Sequence, residues 1–129
     1  MKENAPKGRR QLLIILLFIL LGILIFMLVF HLYRHTFSRQ RWMEEPLYRR
    51  YMLADLGRRY TLTGMTMEEA AALLGEEDSQ QSSFSPRGGA VYPPETSLVY
   101  FIGRKSGEDL WFILSFENGV CVSYAVETT

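Results

Sequence analysis

LWFILSFENGVCVSYAV, residues 110–126, reads as two strands joined by a tight turn. Residues 110–116 are apolar on both faces, residues 120–126 alternate, and Glu117-Asn118-Gly119 lies between them. Two registers compete. A two-residue Asn-Gly loop pairs Phe116 with Cys121 and Leu114 with Ser123, which mixes the faces. A three-residue loop, with Gly119 left-handed in a bulge, pairs Phe116 with Val120, Leu114 with Val122 and Phe112 with Tyr124. A one-residue slip inverts every side chain, so burial selects the second register. The inner face is then Leu110, Phe112, Leu114, Phe116, Val120, Val122, Tyr124 and Val126. The outer face carries Trp111, Ile113, Ser115, Cys121, Ser123 and Ala125. Upstream, residues 97–102 are rich in Val, Tyr, Phe and Ile and read as a third strand, with 103–109 as a loop. Val99 and Phe101 of that strand join the outer face.

Two helices precede the strands. Pro46 suits the first turn of a helix, where its missing N–H is unpaired in any case. PLYRRYMLADLGRRY (46–60) then places Leu47, Tyr51 and the Met52/Leu56 pair close to one face. Thr66-Met67-Glu68-Glu69 is a capping box: the Thr66 hydroxyl can accept from the Glu69 N–H, and Glu69 can reach back. Ala70, Leu73 and Leu74 form that helix's apolar side, and Gly75 is placed to end it left-handed. Residues 76–96 are polar and rich in Ser, Pro and Gly, a long surface loop with a turn at Arg87-Gly88-Gly89 and a short strand near residues 90–92. Two helices over one face of an antiparallel sheet make an α+β, two-layer αα-βββ domain.

Further upstream lies LLIILLFILLGILIFMLVF (12–30), without a charge. As a helix, residues 12–32 span roughly 30 Å, the thickness of a bilayer's hydrocarbon core. Secretory signals have shorter apolar cores and end in a small-residue cleavage site; here the exit is bulky, and the single cysteine, Cys121, is far away. The remaining chain is too small to surround a helix apolar on every side. The expected organisation is a basic tail (1–11), a transmembrane helix (12–32), a polar juxtamembrane stalk (33–45) and the αα-βββ domain (46–129).

Charge is unevenly placed. Residues 1–56 hold nine Lys or Arg against four Asp or Glu, and residues 57–129 hold five against ten. The acidic distal part argues against a nucleic-acid partner. Arg34, Arg39 and Arg41 sit where anionic lipid headgroups would attract them, although the same residues would mark the end of any anchor. Basic residues flank the apolar run on both sides, a near tie for orientation. A short basic N-terminus usually stays inside, which places the domain outside the cytoplasmic membrane in a single-pass arrangement.

GMTMEEAAALLG (64–75), YFIG (100–103) and LWFILSFENGVCVSYAV (110–126) together resemble the SmpA/OmlA family, over about residues 47–126. The resemblance implies a small αα-βββ fold similar to one repeat of β-lactamase inhibitor protein. It also implies a bacterial envelope setting and a non-catalytic role in binding proteins or lipid headgroups. The matching residues are fold residues: Gly64 for a turn, Thr66 for a cap, Leu73 and Leu74 for the core, Gly75 for the helix end.

Chemistry-bearing residues are few. His31 and His35 share a helix side at i, i+4, a spacing that could hold a metal, though polar ends of an anchor explain it as well. Cys121 falls mid-strand with no histidine or second thiol nearby in sequence. Glu76-Glu77-Asp78 lacks the alternation of a calcium loop and reads as solvated. No phosphate loop, G-x-S-x-G or zinc spacing occurs, so no cofactor, metal or catalytic group is expected. Exposed apolar residues grouped on a sheet face mark docking surfaces. The expected partner site is therefore Trp111, Ile113, Val99 and Phe101, unless loop 76–96, with Phe84, Val91 and Tyr92, folds over them. The expected function is a membrane-anchored binding module for a protein, lipid or wall component; the alternative is a small structural subunit of a larger membrane complex.

Overall fold

The computed structural model describes residues 7–78 and 91–129. The chain divides into two compact units, one ending at Arg34 and the other running from His35 to Thr129. The first is an apolar helix, α1 (Lys7–His35), 29 residues long with none of them buried. At 1.5 Å per residue it measures about 43 Å. It is long and apolar enough to cross a membrane.

The second unit is α+β. It contains α2 (Arg39–Glu44), a 3₁₀ turn (Pro46–Tyr48), α3 (Arg49–Arg59) and α4 (Met67–Leu74). The antiparallel strands β1 (Ser97–Lys105), β2 (Glu108–Glu117) and β3 (Val120–Thr128) follow, in the order β1-β2-β3. The stretch expected to be a polar stalk is part of this unit. The Ser38 hydroxyl caps α2, and Phe37 and Trp42 are buried, Trp42 completely. Two large aromatic rings outweigh the surrounding polar residues: once Phe37 and Trp42 can reach apolar surface, leaving them in water costs more than ordering the turn. The domain therefore starts near His35, not at residue 46.

Within the helices, Met52 and Leu56 are buried as expected, but Leu47 is exposed. The 3₁₀ turn rotates Leu47 off the face that Met52 and Leu56 share. The Thr66 cap forms, with Glu69 N–H donating to Oγ1 at 3.1 Å, and Ala70 and Leu74 enter the core. Gly75 ends α4 at φ +83°, ψ −168°, a region that only glycine visits readily.

The β2–β3 hairpin follows neither expected register. Asn118 and Gly119 both have positive φ (51° and 81°), which makes a two-residue turn of the type that matches strand twist. Glu117 pairs with Val120 and Phe116 with Cys121. An extra residue, Val122, then bulges out, and pairing resumes as Ser115–Ser123, Leu114–Tyr124 and Phe112–Val126. The turn obeys its local preference, and the bulge returns the apolar side chains to one face. Cys121, expected outside, lies opposite Phe116 in the helix-side core. The expected loop 103–109 is also absent. β1 and β2 run on to a second two-residue turn at Ser106 (φ 54°) and Gly107 (φ 79°). A bulge precedes it at Gly103, where a Cβ would stand 2.5 Å from the Leu47 carbonyl oxygen.

The sheet carries apolar side chains on both faces. Leu98, Tyr100, Ile102, Phe112, Leu114, Phe116 and Cys121 pack under the helices. Val99, Trp111 and Ile113 form a second cluster on the other face, with Tyr92 and Phe101 against it. Four residues expected on the covered inner face, Val120, Val122, Tyr124 and Val126, are instead at least a third exposed. The helices lie over β1 and β2 and leave β3 at the open side. Val91 and Tyr92 are not in a strand; Ala90, Phe84 and the Arg87-Gly88-Gly89 turn lie outside the described residues.

Candidate functional site

α3 and β3 face each other across an open groove of about 450 Å³. Leu53, Ala54 and Gly57 line it from α3, Leu62 from the connector, and Tyr124 and Val126 from β3. Its origin lies in the strand pattern. Past its bulge β3 turns Tyr124 and Val126 toward the helix layer, but the three-turn α3 covers only part of them. Gly57 has open space where a side chain would be, which widens the groove at the C-terminal half of α3. Tyr124 forms the wall between groove and core, its ring 5.7 Å from Phe112.

A polar network holds the helices that build this groove. Asp55 of α3 is buried and accepts the Phe37 N–H at 2.7 Å. It is also paired with Arg58 and, at 2.8 Å, with Arg59. The Phe37 hydrogen bond, joined by the two arginines and opposed by burial, holds the Asp55 carboxyl below its ordinary value of 3.8. A carboxylate whose folded pKa is depressed contributes stability above the unfolded-state pKa and loses it as pH falls through the folded one. Asp55→Asn is therefore expected to lower the urea midpoint of the full chain clearly at pH 7. The gap to wild type should narrow as pH drops below about 3.8, and a gap that stays constant from pH 7 to pH 2 would contradict this role.

A second hub closes the β1 edge. Arg49 is buried and donates from Nε to the Trp42 carbonyl oxygen at 2.5 Å, and from Nη1 to Asp78 and to the Phe101 carbonyl oxygen, both at 2.9 Å. Asp78 in turn accepts the Phe101 N–H at 3.1 Å, its own N–H donates to the Val99 carbonyl oxygen at 2.6 Å, and Glu77 accepts the Val99 N–H at 3.2 Å. Two residues of the acidic triplet expected to be solvated thus bond to the backbone edge of β1. The Tyr100 hydroxyl, its pKa raised by burial and by Glu77 and Asp78, stays protonated and donates to the Gly75 carbonyl oxygen at 2.9 Å.

The residues expected to dock a partner lie elsewhere. Val99, Trp111 and Ile113 are 1%, 0% and 1% exposed, and Phe101 is half-buried. The structure brings the four together, with Phe101 edge-on to Trp111 at 5.4 Å, but as a core. Tyr92 packs on this cluster and donates its hydroxyl to Glu127 at 2.9 Å, while the Trp111 indole N–H donates to Thr129 Oγ1 at 3.2 Å. The expectation of an open patch here is corrected: Tyr92, from the loop 76–96 that was the alternative cover, packs over it.

The arginines expected at headgroups fall on two elements, Arg34 on α1 and Arg39 and Arg41 on α2. Arg34 is in the last turn of α1. Arg39 donates from Nε to the Ala72 carbonyl oxygen at 2.8 Å, at the carbonyl end of α4 where a cation is favoured. Arg41 pairs with Glu45 at 3.9 Å and, two residues from Arg39 on a helix, points about 200° away. His31 and His35 stand in the final turns of α1, and no group of three or more metal-ligating side chains occurs among the described residues. Cys121 is buried, and burial pushes its thiol above the ordinary value despite the Ser123 carbonyl, so it stays a packing group.

Sequence reasoning missed Trp42, Arg49, Asp55 and Asp78. Only Trp42 carried a usable signal, a large aromatic in a stretch otherwise polar. No family model, curated protein or solved structure matches this chain.

Proposed function

We propose that the chain is a non-catalytic, membrane-anchored binding module of the bacterial envelope. In this reading α1 sits in the cytoplasmic membrane with the N-terminus inside. The domain outside receives apolar side chains of a protein partner in the groove between α3 and β3. The observation that carries it is that groove: apolar side chains of two elements line an open cleft, while the Trp111 cluster on the other sheet face is buried. Solvent-exposed Tyr124 and Val126, each at 50%, are the kind of unsheltered apolar surface that partners cover. The resemblance of residues 64–75 and 110–126 to the SmpA/OmlA family, whose members bind other envelope components, supports the same role.

A photoreactive amino acid at Ala54, tested in intact membranes, is expected to form one discrete adduct. The same group at exposed Arg104, on the far hairpin, should not form it. The same adduct from both positions, or none from Ala54, would count against the groove.

A further inference from the structure

β3 is an outer strand of the sheet, and among the described residues only the start of its edge is closed. Gly64 N–H donates to the Cys121 carbonyl oxygen and Cys121 N–H to the Met65 carbonyl oxygen, both at 2.7 Å, and Thr66 bridges Val120. Beyond them no described residue of the domain pairs with the edge. Thr129 N–H bonds to the Asp109 carbonyl oxygen at 3.0 Å. Antiparallel pairing alternates, so the backbone groups of Glu127, Ala125 and Ser123 also face β2, and those of Tyr124, Val126 and Thr128 face outward. No described residue hydrogen-bonds to these outward groups. Residues 122–126 are exposed on both sheet faces. Native edges are commonly blunted by Lys, Pro or inward-pointing charge. Residues 123–129 (SYAVETT) have no Lys and no Pro, and their single charge, Glu127, is held by the Tyr92 hydroxyl.

We propose that residues 123–129 pair antiparallel with the same segment of a second copy of this chain, Val126 facing Val126 on the twofold axis. The register follows from what is free. Centring on Val126 sets Tyr124 opposite Thr128 and lets the three outward residues of each copy exchange six backbone hydrogen bonds. Glu127 then faces Ala125, so no like charges are opposed. Centring on Tyr124 would drive the partner's end into Val120 and Cys121, where Gly64, Met65 and Thr66 already bond. The contact is isologous and closes on itself. It joins two sheets into one of six strands and brings two grooves side by side. It uses the backbone edge rather than the groove wall, so it goes beyond the binding role above and stands without it.

The test uses the full chain in detergent under mild oxidation. Val126→Cys is expected to give a disulfide-linked dimer. Val122→Cys, exposed on the same strand, is expected to stay monomeric, because the register separates the two positions by roughly 27 Å. Buried Cys121 leaves the wild-type chain uncrosslinked. Val126→Pro removes only an outward N–H, an edge position where proline is tolerated, and should abolish the dimer in sedimentation. A monomeric Val126→Cys chain, equal crosslinking from positions 122 and 126, or a folded Val126→Pro dimer would each overturn the proposal. An edge filled by an extended segment of another protein would do the same. If Val126→Pro fails to fold, the cysteine pair still decides. No other partner is present in this assay, so a negative result leaves the groove reading untouched.

Discussion

Trp42→Ala is expected to destabilise the domain by about 3–5 kcal/mol, the range for deleting a fully buried large aromatic side chain. Trp42 is 0% exposed. Its ring lies 6.0 Å from Phe37, 6.1 Å from Tyr100 and 6.4 Å from Phe112, and the Arg49 guanidinium stands over it at 5.3 Å. Truncation would thus remove the joint between α2, the sheet and the buried arginine. In a domain of this size each kcal/mol moves Tm by roughly 4–8 °C, so the fall should exceed about 12 °C. Trp111, the other tryptophan and also buried, reports the transition by fluorescence in the variant. Trp42→Phe should cost far less, because the Trp42 indole N–H is buried without a hydrogen-bond partner and phenylalanine removes that unmet donor. A polar stalk over 33–45 would predict a change within about 0.5 kcal/mol for Trp42→Ala, so the size of the effect separates the two architectures.

Arg49→Ala is the second large effect, at most about 3–5 kcal/mol, the range for removing one member of a buried, hydrogen-bonded charge pair, because the Asp78 side chain keeps part of its exposure to water. The loss would leave the Trp42 and Phe101 carbonyl oxygens unmet and Asp78 without its cation. Lysine cannot reproduce the fork, since its ammonium presents one point of charge where the guanidinium reaches three acceptors. Arg49→Lys is therefore expected to recover only a small part of the stability. In a double-mutant cycle, Arg49→Ala with Asp78→Asn should cost less than the two single changes added, with coupling of about 0.5–3 kcal/mol. Hydrogen exchange locates the damage: the Val99 and Phe101 amides, held by Glu77 and Asp78, should lose protection before those at the centre of β2. Full additivity, or unchanged exchange at these two amides, would remove Arg49 from this role.

How much of this was legible in the sequence depends on range. The Thr66 cap, the three strands and the apolar run of α1 depend on neighbours within a few residues, and local pattern located them. The hairpin register depends on a compromise. Asn118-Gly119 forms the tight turn its φ preferences favour, and the bulge at Val122 settles a conflict that pattern reading treated as a choice between two clean alternatives. The polar network was illegible for a different reason. Arg49 reaches Asp78 across 29 positions and Phe101 across 52, and nothing in the local composition distinguishes such an arginine from a solvated one. The docking site shifted for the same cause. Alternation assigned Trp111 and Tyr124 to opposite faces correctly, but which face stays open depends on how far the helices and the segment around Tyr92 extend over the sheet.

The most direct test of the central claim is alkaline extraction of membranes containing the full chain, followed by intact-mass measurement. An anchored module predicts the complete polypeptide, α1 included, in the membrane pellet after extraction. A soluble product that begins near His35 would contradict it, since α1 would then be a removed leader and the groove would belong to a free domain.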